Sequence, residues 1–152
     1  MEWMKDSIES FIENVIEKDT SDIILVSGGS AWSDHTVVQL FNENNYAGLN
    51  LYLPALFDCK TSMFVNTRDG YRLNQLHGDY EEITGINSLS EFKKAIQKKQ
   101  TETVSYSSFM IRNNAIASNC DYMLAFGFDD KPQGGTLYTW NKCKNDKTFI
   151  QI

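Results

Sequence analysis

Several absences narrow the chemistry of this chain. It has only three cysteines, Cys59, Cys120 and Cys143, an odd number with no Cys-x-x-Cys spacing. That pattern suggests neither a disulfide framework nor a zinc site, and it predicts reduced, structural thiols. Apolar runs stop at about 4–6 residues, far short of the ~20 that span a bilayer. The N-terminus carries acids within an amphipathic pattern, unlike a signal peptide. The expectation is a cytoplasmic protein with no membrane partner. Cations are scarce, with 14 Lys and Arg against 20 Asp and Glu and a net charge of −6. Holding a phosphate backbone takes clustered Lys and Arg, so nucleic acid is not expected as the main partner. A small anionic ligand needs only a few local cations and remains compatible. Internal repeats and low-complexity linkers are also absent.

What is present reads as one globular domain over residues 1–152, with 41% hydrophobic and 22% charged residues. Residues 2–17 place Trp3, Ile8, Phe11, Ile12, Val15 and Ile16 at helical intervals. The apolar run over 22–27, bounded by Gly28 and Gly29, predicts a strand buried on both faces. A helix over 34–41, capped by Ser33, and a second strand over 49–53, ended by Pro54, follow. Residues 55–86 are weakly patterned, interrupted by Gly70, Gly78 and Gly85, and read as an irregular loop or lid. Ser88 or Ser90 then caps a helix carrying Phe92, Ala95 and Ile96, whose end bears Lys93, Lys94, Lys98 and Lys99, read as a solvated helix end. A helix over 106–119, a strand over 122–126, a helix over 136–144 and a strand over 148–152 complete the chain. This alternation predicts an α/β fold: a three-layer, Rossmann-like arrangement of about 4–5 mainly parallel strands with helices on both faces.

The segment Pro132-Gln-Gly-Gly-Thr-Leu-Tyr-Thr-Trp140 stands between an apolar strand and a helical pattern. Two glycines let an anion approach the backbone, and a helix starting there aims unpaired N–H groups and its positive dipole end at the ligand. The carboxyl end of a strand is also where open α/β sheets bind ligands. A plain turn is the alternative for Gly134, Gly135 and Thr136, as it is for Gly28 and Gly29.

Three segments, Val26-Ser-Gly-Gly-Ser-Ala-Trp-Ser-Asp-His35, Phe109-Met-Ile-Arg-Asn-Asn-Ala-Ile-Ala117 and Ala125-Phe-Gly-Phe through Pro-Gln-Gly-Gly-Thr136, resemble in this order the SLOG superfamily. These are Rossmann-like nucleotide-ligand domains that include the LOG phosphoribohydrolases and the DNA-processing Smf proteins. The resemblance covers about residues 22–152 and is closest to the small stand-alone branch. It implies that Gly28, Gly29 and Ser30 form the first ligand-facing turn and that Asp34 sits near a ribose or base. It further implies that Arg112, followed by Asn113, reaches a phosphate or ribose, and that Gly134, Gly135 and Thr136 hold phosphate. A homo-oligomer is implied as well. Two departures qualify the resemblance. LOG enzymes carry Gly-Gly-x-Gly-Thr-x-x-Glu, but the third residue after Thr136 is Thr139, which removes the carboxylate that works on the N-glycosidic bond. Family members usually begin with a strand and a Gly-Ser turn, whereas this chain begins with a helix. Either that half of the pocket is missing, or a partner chain or the 55–86 loop completes it.

Plainer roles stand beside these. Asp34 as a helix cap, Arg112 as a surface cation, and His35 and His77 as exposed or satisfied side chains are the structural alternatives. Trp32 either stacks on a base or packs over the sheet edge. Tyr106, Tyr138 and Trp140 read as core or interface residues. The leading expectation is a binding protein for a nucleotide or nucleotide-derived molecule (ADP-ribose-like, cyclic or NAD-related) that senses or sequesters it without turnover, catalytic residue, metal or cofactor. The alternative is a LOG-type nucleoside 5′-monophosphate phosphoribohydrolase in which Asp34, Asp129 or Asp130 replaces the glutamate. A third reading is an interaction module that has lost its ligand.

Overall fold

The computed structural model of the protein describes residues 2–152. Helix α1 (Glu2–Phe11) widens into a π turn over Ile12–Ile16, closed by Glu17 in the left-handed conformation. Met4, Ile8 and Ile12 recur every four residues and form its buried stripe. A short 3-10 turn (Thr20–Asp22) leads into β1 (Ile24–Ser27), α2 (Ser33–Glu43) and β2 (Gly48–Leu53). A small antiparallel hairpin, β3 (Phe57–Asp58) and β4 (Met63–Phe64), precedes α3 (Arg68–Thr84) and α4 (Ser88–Ile96). The chain ends with β5 (Thr101–Ser105), α5 (Phe109–Ser118), β6 (Tyr122–Gly127), α6 (Gly134–Lys142) and β7 (Asp146–Gln151).

The fold is α/β with mainly parallel strands. β2 lies between β1 and β5, with Ile24 opposite Gly48 and Leu49 opposite Thr101. β6 and β7 form a second parallel pair, with Tyr122 opposite Asp146. The strands do not join into one sheet: β1 ends the first sheet, β6 borders the second, and no backbone ladder connects them among the described residues. Alternation along β2 sends Leu49, Leu51 and Leu53 into the main core with Val38, Leu40 and Phe41 of α2 and Phe92 and Ala95 of α4. A smaller cluster of Ala117, Cys120, Met123 and Cys143 holds the second pair.

Several expectations change. Residues 55–86 are not an irregular loop, because 17 of them form α3. Its buried stripe of Leu73, His77 and Tyr80 has helical spacing, but the histidine reads as polar in a sequence and hides it. β5 was not expected as a strand. Its Thr-Glu-Thr-Val-Ser residues are mostly exposed, and it is held by its ladder to β2 more than by burial. Ser33 does not cap α2; it is the first helical residue, and Trp32 before it adopts φ 64° with no capping bond. The α4 cap is neither Ser88 nor Ser90 but Asn87, whose side chain accepts the Ser90 N–H at 2.8 Å. Lys98 is not merely solvated: its ammonium donates to the carbonyls of Phe41 at 2.9 Å and Asn42 at 3.3 Å, satisfying the carboxyl end of α2.

Candidate functional site

A cleft of about 750 Å³ separates β1 from β6. Its walls are the two strand edges, and α1 and α5 contribute Ile8, Ile12, Phe109 and Ile116. Asn50, the one polar residue inside the Leu-Asn-Leu-Tyr-Leu strand, also lines it; the break in that apolar run is the signal by which it could have been found. At the carboxyl ends of β1 and β6 the lining turns polar, with Gly28, Ser30, Asp34, Arg112, Asn113, Gly135 and Thr136 brought together from three parts of the chain.

The turn after β1 is fastened from several sides. The Gly29 N–H donates to Ser27 Oγ at 3.2 Å, and that hydroxyl donates to the Asp34 carbonyl at 2.9 Å. The Ser30 N–H donates to Asp34 Oδ2 at 3.1 Å. Gly29 has φ +71°, and a Cβ there would lie 2.4 Å from Leu53 Cδ2, so both conformation and space demand glycine. From below, His77 Nε2 meets the Gly29 carbonyl at 3.1 Å while its Nδ1 meets Ser88 Oγ at 2.8 Å. Burial pushes the His77 pKa down to about 4, against the opposing Gly29 bond. A neutral ring then donates from Nε2 to the carbonyl and accepts the Ser88 proton at Nδ1. No local pattern around His77 signals this link.

Arg112 is the unusual residue. It lies on α5 yet is only 5% exposed. Its Nη1 stands 3.4 Å from Asp34 Oδ2, a long contact, and its Nε has no partner among the described residues. Burial lowers its pKa, offset by the Asp34 and Asp69 carboxylates. A Cβ on Gly28 would lie 1.4 Å from Nη1, so the missing side chain is what lets the guanidinium cross the turn. Across the cleft, α6 begins at Gly134, ahead of the expected 136, with Gln133 making no side-chain capping bond. The first N–H groups of that helix are therefore free donors beside Gly135 and Thr136.

The other expected residues lie differently. Gly29 turns its open side toward Leu53 and Phe92 in the core. Trp32 packs edge-on against Tyr80 at 5.2 Å and is not part of the cleft lining. Gly134, with φ +52°, sits exposed at the start of α6. Thr139 lines the cleft, but its hydroxyl donates to the Gly135 carbonyl at 2.9 Å. Asp129 and Asp130 are exposed and outside the lining. His35 and His77, far apart in sequence, meet at 6.0 Å, and both are buried and bonded. His35 binds Glu91 at 2.6 Å, and that bond, with a second from Gln39, holds the Glu91 carboxyl below its ordinary range. Among the described residues no group of three or more His, Cys, Asp or Glu is placed to hold a metal ion, and no helix is long and apolar enough to cross a membrane.

No family model matches the chain, and no solved structure matches it. It is similar to the uncharacterized protein R261 of Acanthamoeba polyphaga mimivirus, with 43% identity over 152 residues that make up 99% of this chain and 83% of the viral protein. Identity at that level along nearly the whole chain makes the two homologues, and the chain belongs to the family of this mimivirus protein.

Proposed function

We propose that this protein binds a nucleotide or nucleotide-derived small molecule in the cytoplasm, and senses or sequesters it without turnover. The observation that carries the reading is Arg112. A buried guanidinium with one long carboxylate contact and an unpartnered Nε is under-satisfied, and leaving a buried charge so costs several kcal/mol. A phosphate between Arg112 and the start of α6 meets that need with charge-assisted bonds from one side and free helix N–H groups from the other. Asp34 repels a phosphate but accepts bonds from hydroxyls, which assigns it the ribose. In this reading the two parallel sheets are the wings of one Rossmann-like, three-layer arrangement.

Thr139 supports the reading without turnover. Its hydroxyl is committed to a backbone carbonyl, and a hydroxyl does not supply the acid/base function of a carboxylate near neutral pH. A phosphoribohydrolase is the second reading, favoured by one fact: Asp34 is a carboxylate that lines the cleft. A homo-oligomer belongs to the proposal too, supported by exposed Met110 and Ile111 on α5 and Leu137 on the neighbouring α6.

A thermal-shift series with nucleoside monophosphates, cyclic nucleotides, NAD and ADP-ribose tests the proposal, with chromatography of the same mixtures. The expected result is a raised melting temperature with intact ligand, worth ~2.7 kcal/mol at a hundred times Kd, and lost in Arg112→Ala. Release of free base selects the hydrolase. No shift with any compound overturns both and leaves an interaction module.

A further inference from the structure

β1 is hydrogen-bonded to β2 on one side only, and β6 to β7 on one side only. Their other edges face the same cleft. Unpaired strand edges are templates for another strand, and burying them without partners is unfavourable. Spread along a strand of about 20 Å, the cleft's 750 Å³ gives a cross-section of roughly 40 Å². One strand with its side chains takes up about 4.8 Å by 10 Å. The opening is thus comparable to one strand and too small for two. α1 and α5 line it with Ile8, Ile12, Phe109 and Ile116, so such a strand is apolar on both faces, as parallel strands under helices are.

The path of α1 says where that strand connects. Trp3 packs on Phe126 near the carboxyl end of β6, and Phe11 packs on Tyr122 at its amino end. α1 thus runs back along β6 from the carboxyl edge of the sheet to the amino edge and then leads into β1. A helix with that course is the crossover between two parallel strands. β1 is the second strand, and the vacant position beside it is the first.

We propose that the cleft between β1 and β6 is a slot for one further parallel strand, an extended apolar segment of about six residues joined to the amino end of α1. The mimivirus relative is matched over 83% of its length, and the remaining sixth of its chain is more than the dozen or so residues that such a strand and its connection require. With the strand seated, β5, β2, β1, the new strand, β6 and β7 form one continuous sheet.

Hydrogen exchange resolved by proteolysis tests this on three proteins: the 152-residue chain, the full-length mimivirus relative, and the relative without its unmatched residues. Amides of β1 and β6 in the chain are expected to exchange at least about ten-fold faster than their counterparts in the full-length relative, and the shortened relative is expected to match the chain. Equal, slow exchange in the chain at low concentration means that β1 and β6 pair directly, and overturns the proposal. Fast exchange in the full-length relative overturns it too. Protection in the chain that appears only as its concentration rises assigns the strand to a second copy, which overturns the connection to α1.

Discussion

Gly28 and Gly29 are neighbours, but an added methyl acts differently at each. At Gly28 it meets Arg112 Nη1 at 1.4 Å and Asp34 Oδ2 at 2.7 Å, both ends of side chains that can swing away. Gly28→Ala is expected to abolish the nucleotide-induced thermal shift while the urea-derived stability stays within about 1 kcal/mol of the parent. At Gly29 the methyl meets Leu53 at 2.4 Å from a backbone at φ +71°, so Gly29→Ala is expected to cost about 2–4 kcal/mol in the same urea titration. His77 supplies the pH dependence. Its pKa is about 4 in the folded chain against about 6.5 in an unfolded one. The unfolded state therefore takes up the proton first as pH falls. Stability from this group is complete above about pH 6.5, declines through the interval down to about pH 4 and levels off below it, by about 3 kcal/mol in all. Melting temperature measured from pH 8 to 4 is expected to fall in that window, and less steeply in His77→Gln.

At the level of elements, α3 anchors the small hairpin through one side chain. Asn74 Oδ1 accepts the Phe64 N–H and Asn74 Nδ2 donates to the Phe64 carbonyl, each at 2.9 Å. Asn74→Ala leaves both backbone groups of the buried Phe64 unpaired and is expected to lower stability by about 2 kcal/mol in a denaturant titration. α3 also reaches the site, because Asp69 Oδ2 accepts the Phe109 N–H at the start of α5, the helix that bears Arg112. Neither link is readable from residues 55–86, where glycines inside the helix and a histidine on its buried face conceal the period. The elements that were legible carry their own signals: apolar runs for β1, β2 and β6, and an amphipathic stripe for α1. β5 carries none, since its place is fixed by pairing with β2. The polar mouth of the cleft was legible as glycine pairs and an arginine. The burial of Arg112 was not, since it depends on how α5 leans on β2, a relation absent from local sequence.

At the scale of the whole molecule, the described residues form two hydrophobic clusters, and only two of the three thiols are packed into one of them. Cys120 and Cys143 are buried in the smaller cluster with sulfurs 3.7 Å apart, and burial with the neighbouring thiol pushes Cys120 up to about 12. Cys59 lies partly exposed, directly after β3 and outside that cluster. Limited alkylation near pH 7.5 followed by mass spectrometry is expected to label Cys59 first, with the buried pair at least about ten-fold slower. The division also bears on how the protein is made. A ribosome releases β1, β2 and β5 together with α2, α3 and α4 before any of β6, α6 or β7 exists, and chains acquire structure from the N-terminal side as they emerge. The nascent chain therefore carries Gly28, Ser30 and Asp34 in place while Arg112 and Thr136 are still unfinished or unfolded. Such an intermediate presents the carboxylate of Asp34 without its cation, so the proposed anion site is assembled only when the last thirty or so residues dock.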